Sequence, residues 1–101
     1  MSGLDIRPSD LDIVRDILRK TLPESATVWV FGSRATGKTK RSSDLDLAID
    51  AGRKLTQQER SQLADAFEES DLPYTVDLVD WHSIDSPFKQ VIENARRPLL
   101  L

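Results

Sequence analysis

Two short apolar runs set the frame of this chain: ATVWVF at residues 26–31 and LDLAI at residues 45–49, separated by a twelve-residue polar segment, 32–43. Each run is rich in β-branched, aliphatic or aromatic residues and bounded by polar or turn-forming ones, so the expected unit is strand, polar loop, strand. In the second run Leu45, Leu47 and Ile49 share one face, while Asp44, Asp46 and Ala48 share the other. If the leucine face is buried, both carboxylates stand side by side on the opposite face.

The remaining patterns supply helices and a third strand. PSDLDIVRDILRKTL offers Ser9 as a cap, with Leu11, Val14 and Leu18 at helical spacing beside Ile13 and Ile17, and predicts a helix over about 9–21 that stops before Pro23. LTQQERSQLADAFEES places Thr56 and Glu59 in capping-box positions ahead of a Leu63, Ala64, Phe67 stripe. YTVDLVD, residues 74–80, reads as a strand in which Asp77 interrupts an apolar run, a position that needs a partner if it is buried. The tail offers Ser86 as cap, Pro87 as first helical residue, an apolar stripe of Phe88, Val91, Ile92 and Ala95, and Pro98 as terminator. Leu99, Leu100 and Leu101 then form an exposed apolar end unless they pack on the core or on another chain.

A length of 101 residues implies one domain, residues 1–101, with a single core. The fold class is α/β (α+β): a small mixed sheet of three to four strands with helices packed on one face. Cysteine is absent, which removes disulfides, thiolate metal sites and cysteine nucleophiles together. With no signal-peptide core and no run near the roughly 18 apolar residues of a membrane span, the expectation is a soluble cytoplasmic protein without membrane association.

The net charge of −3 argues against a protein that holds nucleic acid by nonspecific attraction. Against that background Arg34, Lys38, Lys40 and Arg41 form a local basic cluster between two glycines and two carboxylates. Trp29 and Trp81 are read as core or interface aromatics, and His82 as a loop residue rather than a general base.

The polar segment admits two chemical readings. Gly32, four residues and then Gly37-Lys38-Thr39 match the letters of a phosphate-cradling P-loop. A P-loop must open a helix at its Lys-Thr, however, and the residues that follow here have no apolar periodicity before the next strand begins. The chain is also too short for the several parallel strands and crossovers of such folds. The Gly37-Lys38-Thr39 match is therefore read as accidental.

The second reading is metal-assisted phosphoryl or nucleotidyl transfer. Hard Mg²⁺ prefers carboxylate oxygens, and Asp44 and Asp46, two residues apart on one strand face, are placed to share such ions. Asp77 from a neighbouring strand is the candidate third carboxylate. Gly32 permits a tight turn close to a phosphate, Ser33 offers a hydroxyl and an N–H, and Arg34 offers charge to a phosphate oxygen.

These residues carry a family resemblance. Gly32-Ser33-Arg34-Ala35 through Ser43-Asp44-Leu45-Asp46-Leu47-Ala48 resembles the motif of the nucleotidyltransferase superfamily related to DNA polymerase beta, in particular its minimal prokaryotic members. The resemblance implies that Gly32 and Ser33 cradle the nucleotide phosphates. It implies that Asp44 and Asp46 are the first two metal-binding carboxylates, and that Asp77 is the third and helps activate the attacking hydroxyl. Lys38, Lys40 and Arg41 receive no fixed role.

The resemblance also implies a partner. Minimal members are usually the antitoxin half of a toxin-antitoxin pair, beside a helical toxin of the HEPN family, and some transfer AMP from ATP to a tyrosine of that toxin. The implied function is thus a Mg²⁺-dependent adenylyltransferase with ATP as substrate and a protein hydroxyl as acceptor. A second reading is an antitoxin that neutralises by binding, with catalysis weak or lost. It rests on Thr36, where the family often has arginine, and on the apolar tail. A homo-oligomer is a further way to complete an acceptor pocket.

Overall fold

The computed structural model describes residues 6–32, 34 and 44–101. The elements run α1 (Pro8–Thr21), β1 (Thr27–Phe31), β2 (Leu45–Asp50), α2 (Gln57–Glu68), β3 (Val76–Asp80), a 3₁₀ turn at Trp81–Ser83, α3 (Ser86–Ala95) and β4 (Arg97–Leu99). The four strands form one sheet in the order β3-β2-β1-β4. β1 is antiparallel to β2 and β4, whereas β2 and β3 are parallel. Parallel neighbours need a crossover, and α2 supplies it.

Local chemistry explains where the helices begin, in two cases one or two residues away from the sequence expectation. α1 begins at Pro8 with Arg7 as N-cap and no side-chain cap bond, so Ser9 lies inside the helix. Proline's fixed φ and missing N–H suit the first turn, which moves the start upstream of the serine. In α2 the capping box forms in full: the Glu59 N–H donates to Thr56 Oγ1 at 3.1 Å, and the Thr56 N–H donates to Glu59 Oε1 at 2.9 Å. α3 is capped by Asp85 rather than Ser86, the Phe88 N–H donating to Asp85 Oδ1 at 3.0 Å. A capping oxygen must reach the second or third helical amide; Pro87 has none to offer, and Asp85 reaches the next.

The core lies on the leucine face of β2. Leu45, Leu47 and Ile49 are fully buried against Val28 and Val30 of β1, Val14 and Leu18 of α1, and Leu63 and Phe67 of α2. Each such side chain contributes roughly 1.5–3 kcal/mol of burial, an upper figure for a chain whose unfolded state is already partly collapsed. Helices α1 and α2 thus pack on one face of the sheet, as the periodicity requires.

The tail supplies the fourth strand. After α3 ends at Ala95, residues 97–99 run antiparallel to β1, with Val28 opposite Leu99 and Trp29 opposite Pro98. Proline is tolerated there because β4 is an edge strand. Leu99 is buried in the core while Leu100 stays exposed. Part of the apolar end is therefore accounted for within the chain.

The other face of β1 presents Trp29 and Phe31, which alternate with the buried Val28 and Val30. Phe88 of α3 meets Phe31 edge to face with centroids 6.2 Å apart. Trp29 and Trp81 lie 5.3 Å apart, and the Arg96 guanidinium stands 4.2 Å over the Trp29 ring. The two tryptophans are packed within the fold, as read from the sequence. Among the described residues no helix is long and apolar enough to cross a membrane.

Candidate active site

Strand register brings the site together. Asp46 on β2 stands opposite Phe31 on β1 and opposite Asp77 on β3. Asp46 is half-buried, while Asp44, just before β2, and Asp77 are exposed. Asp77 therefore does not sit inside an apolar core. It faces outward from β3, an edge strand among the described ones, and its position needs no buried partner.

The carboxylates act on one another electrostatically. Burial pushes the Asp46 carboxyl above the usual carboxylate range, and the negative charges of Asp77 and Asp44, with a hydrogen bond to Asp77, push it further. Among the described residues no three histidine or acidic side chains are already gathered into a metal-holding group. Like-charged carboxylates repel, and the strand register holds Asp46 and Asp77 together against that repulsion. The donor set is oxygen-only, its charge is uniformly negative, and Asp46 is already strained by that charge. Such a set suits a hard divalent cation.

Gly32 closes the site from the β1 side. Its φ is +74°, a left-handed conformation open to glycine. A β-carbon built at this position would fall within the space of Asp46 Oδ2 and come to 3.3 Å from Asp46 Cγ. The turn after β1 is pressed against the carboxylate, and a side chain here would be strained at positive φ and would push the Asp46 carboxylate from its place. Ser33, Thr36, the Gly37-Lys38-Thr39 run, Lys40 and Arg41 lie outside the described residues.

Arg34 is placed differently from its two glycine and carboxylate neighbours. It is buried, with its guanidinium 3.8 Å from the centroid of the Tyr74 ring. The Tyr74 hydroxyl donates to Asp10 Oδ2 at 3.3 Å, and Asp10, itself buried, accepts from Arg7 Nε at 3.1 Å and Arg7 Nη2 at 3.2 Å. Burial first, then the charge of Asp10, pushes the Tyr74 phenol up to about 12. Sequence reading named neither Tyr74 nor Asp10 for the site. Their contact spans 64 positions and leaves no local pattern to read.

A second polar cluster occupies the opposite end of the same strands. Asp80 accepts from the Leu55 N–H at 2.9 Å, the His82 N–H at 3.1 Å, Ser83 Oγ at 2.8 Å and Arg60 Nη2 at 3.2 Å. Burial raises its pKa, but these donors together hold it below the usual range. His82 lies in the 3₁₀ turn with its ring Nε2 2.6 Å from Asp50 Oδ1. This cluster joins β3, the start of α2 and the 3₁₀ turn, and its groups are consumed by structural bonds.

Known proteins resemble this chain in family, sequence and fold. The family described as polymerase beta, nucleotidyltransferase matches residues 13–100. A relative from Haemophilus influenzae, described as a probable protein adenylyltransferase MntA, is 48% identical over 89 residues, which cover 88% of this chain and 77% of the relative. A solved toxin-antitoxin structure with AMP-PNP has a TM-score of 0.76 at 30% identity, covering 90% of this chain and 73% of that one. A mutant of the toxin-antitoxin pair MntA-HpeT has a TM-score of 0.74 at 28% identity, covering 89% and 72%. The family match spans β1, Gly32 and the two strands, β2 and β3, that bring the carboxylates together. This chain belongs to the polymerase beta, nucleotidyltransferase family and is a nucleotidyltransferase.

Proposed function

We propose that this protein transfers AMP from ATP to a hydroxyl of a partner toxin in a Mg²⁺-dependent reaction, and that the transfer is how it acts as an antitoxin. The observation that carries the reading is the register pair Asp46–Asp77 beside a glycine turn pressed against the Asp46 carboxylate. The 48% identity to a probable protein adenylyltransferase supports the nucleotide and the protein acceptor.

Asp44, Asp46 and Asp77 would hold Mg²⁺, which when bound supplies charge stabilisation at the phosphate oxygens. Gly32 and Ser33 receive the triphosphate, and Arg34 belongs to the same segment. The acceptor hydroxyl oxygen forms a bond to the α-phosphorus as the bond to the pyrophosphate oxygen breaks. Asp77, exposed at the sheet edge, takes the hydroxyl proton. Pyrophosphate leaves, and the acceptor carries AMP as a phosphodiester.

The partner in this reading is a helical toxin of the HEPN type. The exposed apolar side chains Phe88 and Val91 on α3 offer it surface, and a second copy of this chain could use the same surface. Residues 1–101 act as one domain in the cytoplasm, the compartment that supplies ATP. The alternative of neutralisation by binding alone rests on Thr36, which lies outside the described residues, and the same experiment separates the two.

That experiment incubates the protein with ATP labelled at the α-phosphate, Mg²⁺ and the toxin encoded beside it. Label moves to the toxin, and Asp44→Ala or Asp46→Ala removes it. Failure of the intact protein to label its authentic partner overturns the catalytic reading. Full neutralisation by Asp46→Ala would point to binding instead.

A further inference from the structure

A relay of four side chains links the phosphate segment to the lead-in of β3 and to α1. Arg34 is 7% exposed and lies on the Tyr74 ring at 3.8 Å; Tyr74 donates to Asp10, which is 3% exposed; and Arg7 closes the relay with two bonds to Asp10. A phenol pushed up to about 12 stays protonated, so the donor to Asp10 is never lost near neutral pH. Arg34 follows Gly32 by two residues, and Gly32 is the backbone pressed against Asp46. Tyr74 precedes Asp77 by three residues. The relay therefore ties together the two segments that deliver the glycine turn and the third carboxylate.

Burying a guanidinium is costly unless something holds it, and an aromatic face out of water is a strong holder. Here the holder is itself fixed by a bond to a buried carboxylate. We infer that Tyr74 is a positioning residue for nucleotide binding: its ring holds Arg34 and so sets the turn at Gly32 relative to Asp46. Tyr74 acts through Arg34 and touches no substrate, and Asp10 orients Tyr74. This rests on the reading of ATP as substrate. It gives Arg34 a task at the ring beside the charge it offers a phosphate oxygen.

The test titrates Mg²⁺ and AMP-PNP into the full chain by calorimetry, beside melting temperatures, for Tyr74→Phe, Tyr74→Leu, Arg34→Met and the Tyr74→Leu/Arg34→Met double variant. Tyr74→Phe keeps the ring and is expected to bind within about twofold of the wild type, whereas Tyr74→Leu and Arg34→Met each weaken binding about tenfold or more. The double variant is expected to lose no more than about twofold beyond the weaker single, because the two residues act through one contact. In transfer assays the loss appears in KM for ATP, with kcat changed less than about threefold. Should Tyr74→Leu fail to fold, Arg34→Met against Tyr74→Phe carries the same comparison.

Binding by Tyr74→Leu within about twofold of the wild type, or losses that simply add in the double variant, would overturn the inference. So would affinities that follow melting temperature instead of the presence of the ring. A wild type that binds no nucleotide while Mg²⁺ is present removes the ATP reading itself, and the inference with it.

Discussion

Asp46 of β2 and Asp77 of β3 are register partners on adjacent parallel strands, and the charge of Asp77 raises the pKa of Asp46. The pair is thus held together by the sheet against its own repulsion. Asp46→Asn removes that repulsion and is expected to raise the melting temperature in the absence of metal while abolishing transfer. The sign follows from the shift: a carboxyl whose folded pKa is raised destabilises the fold when ionised, and protonation as pH falls relieves it. Mg²⁺ is expected to raise the melting temperature of the wild type and not of Asp46→Asn, as a ligand stabilises only the state that binds it. Calorimetry at neutral pH with and without Mg²⁺ checks both.

Two glycines at positive φ give a matched comparison. Gly32→Ala carries the left-handed backbone penalty of about 1–2 kcal/mol and also drives a β-carbon into the Asp46 carboxylate. Gly52 has φ +79° but nothing within 4 Å of a built β-carbon, so Gly52→Ala carries the backbone penalty alone. The expected outcome is a similar modest loss of stability at position 52 with transfer retained, and loss of transfer at position 32. Denaturant melts paired with transfer assays read the difference.

Much of this site was legible in the sequence because alternation along a strand is a local signal. Leu45, Leu47 and Ile49 bury one face, which leaves Asp46 on the other, as period two requires. The pairing of Asp77 with Asp46 is not local, since it depends on how a crossover returns β3 beside β2, and the chemistry of three acids and the family resemblance suggested it. The fourth strand was hidden for the same reason: Pro98 reads as a helix stop, and its pairing with Trp29 joins opposite ends of the sequence. The helix caps, Arg7 for α1 and Asp85 for α3, lie two residues and one residue upstream of the serines read as caps, because proline decides which amide needs a cap. Tyr74 and Asp10 gave no signal, since a contact between α1 and the lead-in to β3 exists only after folding.

Acid stability is expected to depend on the cluster far from the site. Asp80 is held below the usual range by its donors, and Glu59 is lowered to about 2, chiefly by Arg53 and by the Thr56 amide. Carboxylates with depressed folded pKa contribute stability above their unfolded values and lose it as pH falls through the folded ones. Stability should therefore hold from neutral pH to the ordinary carboxylate range and erode from there down to about pH 2. Asp80→Ala, which leaves buried donors without an acceptor, is expected to cost about 2–4 kcal/mol and to flatten that erosion. Denaturant melts across this pH range test it.

The tail should behave as two different surfaces within two residues. Leu99 is 4% exposed and packed in the core, so Leu99→Ala is expected to cost about 2–3 kcal/mol. Leu100 is 75% exposed, and Leu100→Ala should change stability by less than about 0.5 kcal/mol. Equal effects at the two positions would contradict the pairing of β4 with β1.

The most direct measurement is the intact mass of the partner toxin after incubation with this protein, ATP and Mg²⁺. The account predicts a mass increase of one or more AMP units, absent with Asp46→Ala and absent when ATP is replaced by α,β-methylene-ATP, whose carbon bridge blocks cleavage between the α- and β-phosphates. An unmodified toxin that is nevertheless fully neutralised, with wild type and Asp46→Ala alike, would contradict it.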